Sequence, residues 1–192
     1  TLLWPLKLTR SRIVELSHLG ITDGIPAGTM GLALDLEITD GTTLDTLNIS
    51  ELDIYFDGEL QNIDQVRSAI VSRTQQAIWM SDDTKNFVRV NGAQVGEIGF
   101  DRDESLYPVA SPADIPFSLV RSYASFPRAF NFLRIKSLGQ PKSKDGDMTL
   151  VIALERPVST KQGDFDVRLG CVPIVNLFKR TSEPIDIDSS SH

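Results

Sequence analysis

Residues Phe117 to Ile135 read FSLVRSYASFPRAFNFLRI, with Pro127 near the middle. That proline constrains the chain more than any other residue. It has no N–H to donate and pushes the residue before it out of the α region, so a helix arriving from the N-terminal side must stop at Phe126. Ahead of it, Leu119, Tyr123 and Phe126 fall at i, i+4 and i+7 and share one helix face. Beyond it, Phe130 and Phe132 fall on one side of an expected strand, with Leu133 and Ile135 on the other. Tyr123, Phe126, Phe130 and Phe132 are therefore expected in the core, and the segment reads as packing without chemistry of its own.

Strand signals dominate elsewhere. Leu32, Leu34, Leu36 and Ile38 alternate with Ala33, Asp35, Glu37 and Thr39, the period of a half-buried strand. Leu52, Ile54 and Phe56 repeat the pattern up to Asp57-Gly58. Leu2 to Leu16 reads as one or two strands with Pro5 at an edge or bulge. Leu19 to Met30, rich in Gly and Pro, is a loop, Asp40-Gly41 a turn and Leu44 to Ser50 another loop. A helix capped by Asn62 carries Ile63, Val66, Ala69 and Ile70, with Arg73 in the same spacing. Ala77 to Met80 and Phe87 to Val90 form a hairpin bent at Ser81-Asp82-Asp83, and Gln94 to Phe100 extends its sheet. Pro108, Pro112 and Pro116 space an irregular crossing. A polar loop from Gly139 to Asp147 precedes a buried strand, Met148 to Leu154, then Phe165, Val167 and Leu169 alternate.

Short strands with few crossover helices favour a mainly β, α+β fold of antiparallel, sandwich-like sheets. Two small α+β subdomains meeting within 101–116 are the alternative. The 192 residues suffice for one sizeable domain.

A formal net charge of −7 argues against nucleic-acid binding, which needs a basic face. Lys142 and Lys144 are offset at once by Asp145 and Asp147. Cys171 is the only cysteine, so no internal disulfide can form, which fits a reducing compartment. Leu2 to Leu6 is too short to span a bilayer, and no direct membrane insertion is expected.

Candidate chemistry is sparse. A nucleophilic Cys171 would need a base, and His18 and His192 are the only histidines. No catalytic signature surrounds them, and a buried cysteine acting as a small hydrophobe is the preferred reading. Asp101, Asp103 and Glu104 have oxygen ligands for a hard cation but lack the spacing of a calcium loop, so a solvated acidic loop is preferred. The Asp145–Asp147 and Asp186–Asp188 pairs read the same way. Phosphate-binding and serine-nucleophile motifs are missing from the sequence. The expectation is no catalytic residue, no metal site and no cofactor. Arg121, Arg128 and Arg134 lie off the apolar faces and are candidates for a partner surface or for a solvated face, since arginine favours interfaces. Asn176 is expected to satisfy a backbone group. Exposed Trp4 and Trp79 would instead suit a carbohydrate-binding β-sandwich.

Tyr123-x-x-Phe126-Pro127-x-x-Phe130-x-Phe132 resembles the Y-x-x-F-P-x-x-F-x-F signature of the TssF (VasA/ImpG) family of type VI secretion systems. Leu169-Gly170-Cys171-Val172-Pro173-Ile174-Val175-Asn176-Leu177-Phe178, followed by Glu183-Pro184-Ile185, is similar to that family's L-G-C-x-P-x-V-N-L-F…E-P-I run. Leu3-Trp4-Pro5-Leu6 resembles its L-W-P stretch, and Ile98-Gly99-Phe100 its G-F segment, all in the family's order. Ala124 replaces a usual second aromatic. Ala129 stands where a lysine is usual, with Arg128 one step earlier.

The resemblance implies a non-catalytic, cytoplasmic baseplate (wedge) component of a phage-tail-like contractile injection system, which works through protein–protein contacts. It implies a TssG-like wedge subunit, a TssK-like adaptor and a VgrG-like spike hub as partners, with a second TssF copy as a further one. It also implies that 1–192, starting without Met, is one β-rich domain excised from a longer chain.

Overall fold

The structure is a computed structural model that describes residues 3–39, 47–81, 87–109, 111–141, 147–154 and 163–176. In chain order the elements are β1 (Leu6–Glu15), β2 (Met30–Ile38), β3 (Ile49–Gly58), α1 (Leu60–Arg73), β4 (Thr74–Ser81), β5 (Phe87–Val90), β6 (Gln94–Glu97), α2 (Ile115–Ser125), β7 (Phe132–Gly139), β8 (Asp147–Leu154) and β9 (Phe165–Arg168). They form a five-stranded sheet, β1-β2-β8-β4-β5, and a four-stranded sheet, β6-β7-β3-β9. Every strand pairing is antiparallel.

The inward faces of the two sheets share one apolar core. Leu32, Leu34 and Leu36 of β2 and Leu150 and Ile152 of β8 meet Leu52, Ile54 and Phe56 of β3 and Leu133 and Ile135 of β7. This is the sandwich that alternation in β2 and β3 foretells. Helix α1 adds Ile63, Val66 and Ile70 to the core, packing on β3 and β6 of one sheet and β4 and β8 of the other.

Strand β8 is apolar along nearly its whole length for a physical reason. Its second face also packs, with Val151 and Ala153 joining Ala33, Ile78, Leu16 and Ile21 beneath the 3-10 turn Leu16–Leu19 and the loop after it. A strand buried on both faces cannot alternate. Where polar residues enter that outer face they pair: Asp35 accepts from Thr149 Oγ1 at 2.8 Å and bonds Arg12.

Several local expectations change. Helix α1 begins before Asn62, and its N-cap residue is Glu59, with no side-chain cap. Strand β6 does not extend the β4–β5 hairpin but crosses to the other sheet, pairing Val95 with Ile135. Helix α2 stops at Ser125 ahead of Pro127, as expected. Phe130, however, ends a 3-10 turn, Pro127–Phe130, and is not in the strand that starts at Phe132.

The expected inward face of α2 is also corrected. Ser118 and Ser122 are its buried residues, while Tyr123 and Phe126 are exposed. With the space between the sheets already filled, α2 packs on the irregular 99–109 stretch, where Ser118 Oγ lies 2.8 Å from Ser105 Oγ. Helical periodicity identifies a helix, but the surface available to it decides which side faces in. The expected turn at Asp40-Gly41, the bend at Asp82-Asp83, and Leu177, Phe178, Glu183 and Pro184 lie outside the described residues.

Candidate functional site

The outward face of the four-stranded sheet brings most of the singled-out residues together. Since Leu52, Ile54, Leu133 and Ile135 point inward, their neighbours must point out. The register sets Asp53 opposite Arg134 and Tyr55 opposite Phe132. The Tyr55 and Phe132 rings pack at a tilt with centroids 4.8 Å apart. Arg134 grips Asp53 with two prongs, Nε to Oδ1 at 2.7 Å and NH2 to Oδ2 at 2.9 Å. Its remaining prong reaches Glu104 at 2.9 Å, and Glu51 is 3.7 Å away. The Asp53 hydrogen bonds raise the proton affinity of the guanidinium, against burial, which lowers it.

Arg134 is therefore a tie between β3, β7 and the 101–105 turn, its guanidinium already engaged by Asp53 and Glu104. Glu104 in turn is only partly exposed. Its second oxygen accepts the Gly99 N–H at 2.8 Å.

The G-F and aromatic motifs form one knot beside this tie. The Phe130 ring meets Phe100 at 5.4 Å, edge to face, and Tyr123 at 5.7 Å. Gly99 sits at φ +102°, and a Cβ there would lie 3.3 Å from the Phe130 ring. The backbone angle favours glycine, and a Cβ there would press on the ring. Pro127 ends α2, and the buried Asn131 behind it accepts the Phe56 N–H at 2.9 Å, joining the knot to β3.

The N-terminal and C-terminal motifs meet on the other flank. Trp4 Nε1 donates to Glu51 O at 2.7 Å. The Pro5 carbonyl accepts from Thr39 N at 3.1 Å. Trp4, Leu52, Leu169, Gly170 and Cys171 enclose a cleft of about 90 Å³. Cys171 and Pro173 continue along an open groove of about 500 Å³ that Phe132 and Arg134 also line. Asn176 is exposed.

These positions decide several alternatives. Cys171 shares its cleft with Trp4, just before β1, whereas exposed His18 follows the far end of that strand. At about 3.3 Å per residue, β1 alone separates them by roughly 30 Å, so no dyad forms. Trp79 is 2% exposed and donates to Leu138 O at 2.9 Å. With Trp4 half-buried as well, the two tryptophans offer no sugar platform.

What remains open is α2. Phe117 is 71% exposed, Val120 69% and Tyr123 58%, with Phe126 also on the surface. Sequence reasoning missed this face because Tyr123 and Phe126 read as core. Arg121 is on it, its guanidinium carbon 4.0 Å from the centre of the Tyr107 ring. Arg128 follows the helix, 60% exposed and 3.9 Å from Asp57.

A family model described as "Type VI secretion system, TssF" matches residues 1–192. No curated protein matches in sequence. Among solved structures, the chain is similar to one chain of a type VI secretion system TssK-TssF-TssG baseplate subcomplex determined by cryo-electron microscopy. The TM-score is 0.76 at 18% identity, over 99% of this chain and 35% of that one. The chain thus shares that fold and spans about a third of its neighbour's length.

Proposed function

The chain belongs to the TssF family of the type VI secretion system, and from that premise we propose that it is a structural, non-catalytic piece of the baseplate wedge. It works by scaffolding: a rigid sandwich holds contact surfaces in fixed relation, so that several weak contacts act together. The observation that supports this reading is the apolar surface of α2, where Phe117, Val120 and Tyr123 face outward. A run of large apolar side chains on the outside of a packed fold is the property of an interaction surface.

TssG-like and TssK-like subunits are the partners the reading names first, because the matching fold occurs in a TssK-TssF-TssG subcomplex. A VgrG-like hub and a second TssF copy follow from the family alone. The place of action is the cytoplasm, with the baseplate docked at the inner-membrane complex. No cofactor and no nucleic acid enter the reading. Among the described residues, no helix is long and apolar enough to cross a membrane. Of the three candidate surface arginines, Arg121 and Arg128 are the more exposed, while Arg134 is tied to Asp53 and Glu104.

Co-expression of the tagged chain with the TssG-like and TssK-like subunits of the same organism tests the reading. A stoichiometric complex that survives gel filtration is the expected result. Recovery of the chain alone, folded and monomeric, would overturn it.

A further inference from the structure

Helix α2 wears its amphipathicity inside out. Ser118 and Ser122 face inward, and Phe117, Val120 and Tyr123 face solvent. An isolated fold gains nothing from this arrangement, since burying those side chains would stabilise it. The charge around them is equally unusual. The chain carries 26 acidic residues and a net charge of −7, yet no Asp or Glu occurs from Ile115 to Lys144. On the exposed face, Arg121 stacks on Tyr107, and no carboxylate pairs with it among the described residues. Arg128 is held only loosely by Asp57. The stripe is apolar with Arg121 beside it, whereas Arg128 lies at a cleft that it shares with Asp57, Glu59, Asp164 and Asp166.

We propose that the outer face of α2 docks an amphipathic helix of a partner subunit. Apolar residues of that helix, spaced at i, i+3 and i+7, seat on Phe117, Val120 and Tyr123, and a flanking carboxylate meets Arg121. Helix-on-helix packing through apolar stripes with charges at the rim is a common recognition mode. The charge pattern selects this occupant over a second copy. A two-fold pairing of identical stripes sets each copy's Arg121 against the other copy's stripe, which has no carboxylate to offset it. This inference rests on the scaffold reading and adds the chemistry of the partner.

Photo-crosslinking within the co-expressed complex tests it. Benzoylphenylalanine placed at Val120, with Lys7 on β1 as the control position, is irradiated with the TssG-like and TssK-like subunits present. The expected adduct lies on one of those subunits, in a helical segment whose apolar stripe is bordered by Asp or Glu. Arg121→Glu should weaken the complex about tenfold at low salt, and reversal of the crosslinked carboxylate to Arg should restore it. A complex that forms without an adduct at Val120 overturns this inference and leaves the scaffold reading standing. So does an adduct confined to a second copy of the chain or to a basic segment. If wild type forms no complex at all, both fall together.

Discussion

Asp53 and Arg134 face each other directly across β3 and β7, although 81 residues separate them in sequence. Both carboxylate oxygens and two guanidinium nitrogens take part, and Glu104 closes the remaining prong. Arg134→Ala leaves two carboxylates facing each other in a partly buried groove and should cost about 2 kcal/mol in urea unfolding. Arg134→Lys should recover less than half of that, because a point charge cannot reproduce a planar fork. A double-mutant cycle with Asp53→Ala measures the coupling, and additive losses would refute the tie.

Gly99 carries two constraints that can be separated. Gly92 has φ +81° with open space where a Cβ would go, and Gly99 has φ +102° with the Phe130 ring 3.3 Å away. Gly92→Ala should cost about 1 kcal/mol from backbone strain alone. Gly99→Ala should cost clearly more, roughly 2–3 kcal/mol, as the aromatic knot is forced apart. Equal losses in thermal unfolding would mean that the knot yields freely.

Glu15 should titrate below the ordinary carboxylate range. The Ser17 hydroxyl donates to it at 2.7 Å, with the Gly28 N–H and nearby His18 adding to the effect, and desolvation opposes them. A carboxyl held low in the folded state adds stability above its ordinary pKa, and that stability disappears as pH falls through the folded value. Carbon-13 NMR titration should show the Glu15 midpoint moving up in Ser17→Ala. An unchanged midpoint would remove the hydroxyl as the main cause.

Stability and surface should part company on α2. Phe117→Ser and Val120→Ser remove exposed side chains and should change folding stability by no more than about 0.5 kcal/mol. Trp79→Ala opens a cavity between the sheets and orphans Leu138 O, so it should cost roughly 3–5 kcal/mol. If the α2 variants unfold as Trp79→Ala does, then that face is core after all.

Much of the sandwich is legible in the sequence because alternation is a local signal. Leu32 to Thr39 and Leu52 to Asp57 name their own inward faces, and Pro127 ends α2 by its chemistry alone. What the sequence withholds is relational. Arg121 and Arg134 look alike as residues, and only the pairing of β3 with β7 turns one into an internal tie and leaves the other exposed. In the same way, Tyr123 and Phe126 have the spacing of a core stripe. Their exposure depends on α2 resting on the 99–109 stretch rather than on the sheets. The convergence of Trp4 with Cys171 was equally beyond local reading, since it needs the two ends of the described chain to meet.

Hydrogen exchange read by mass spectrometry, on the chain alone and then in complex with the TssG-like and TssK-like subunits, shows whether α2 is covered on assembly. Protection should rise over Ile115 to Phe130 on assembly, while the central strands β2 and β8 exchange as slowly in both states and the 17–28 loop stays unchanged. A complex that leaves Ile115 to Phe130 as exchangeable as before, or that protects only the 17–28 end, would contradict the account.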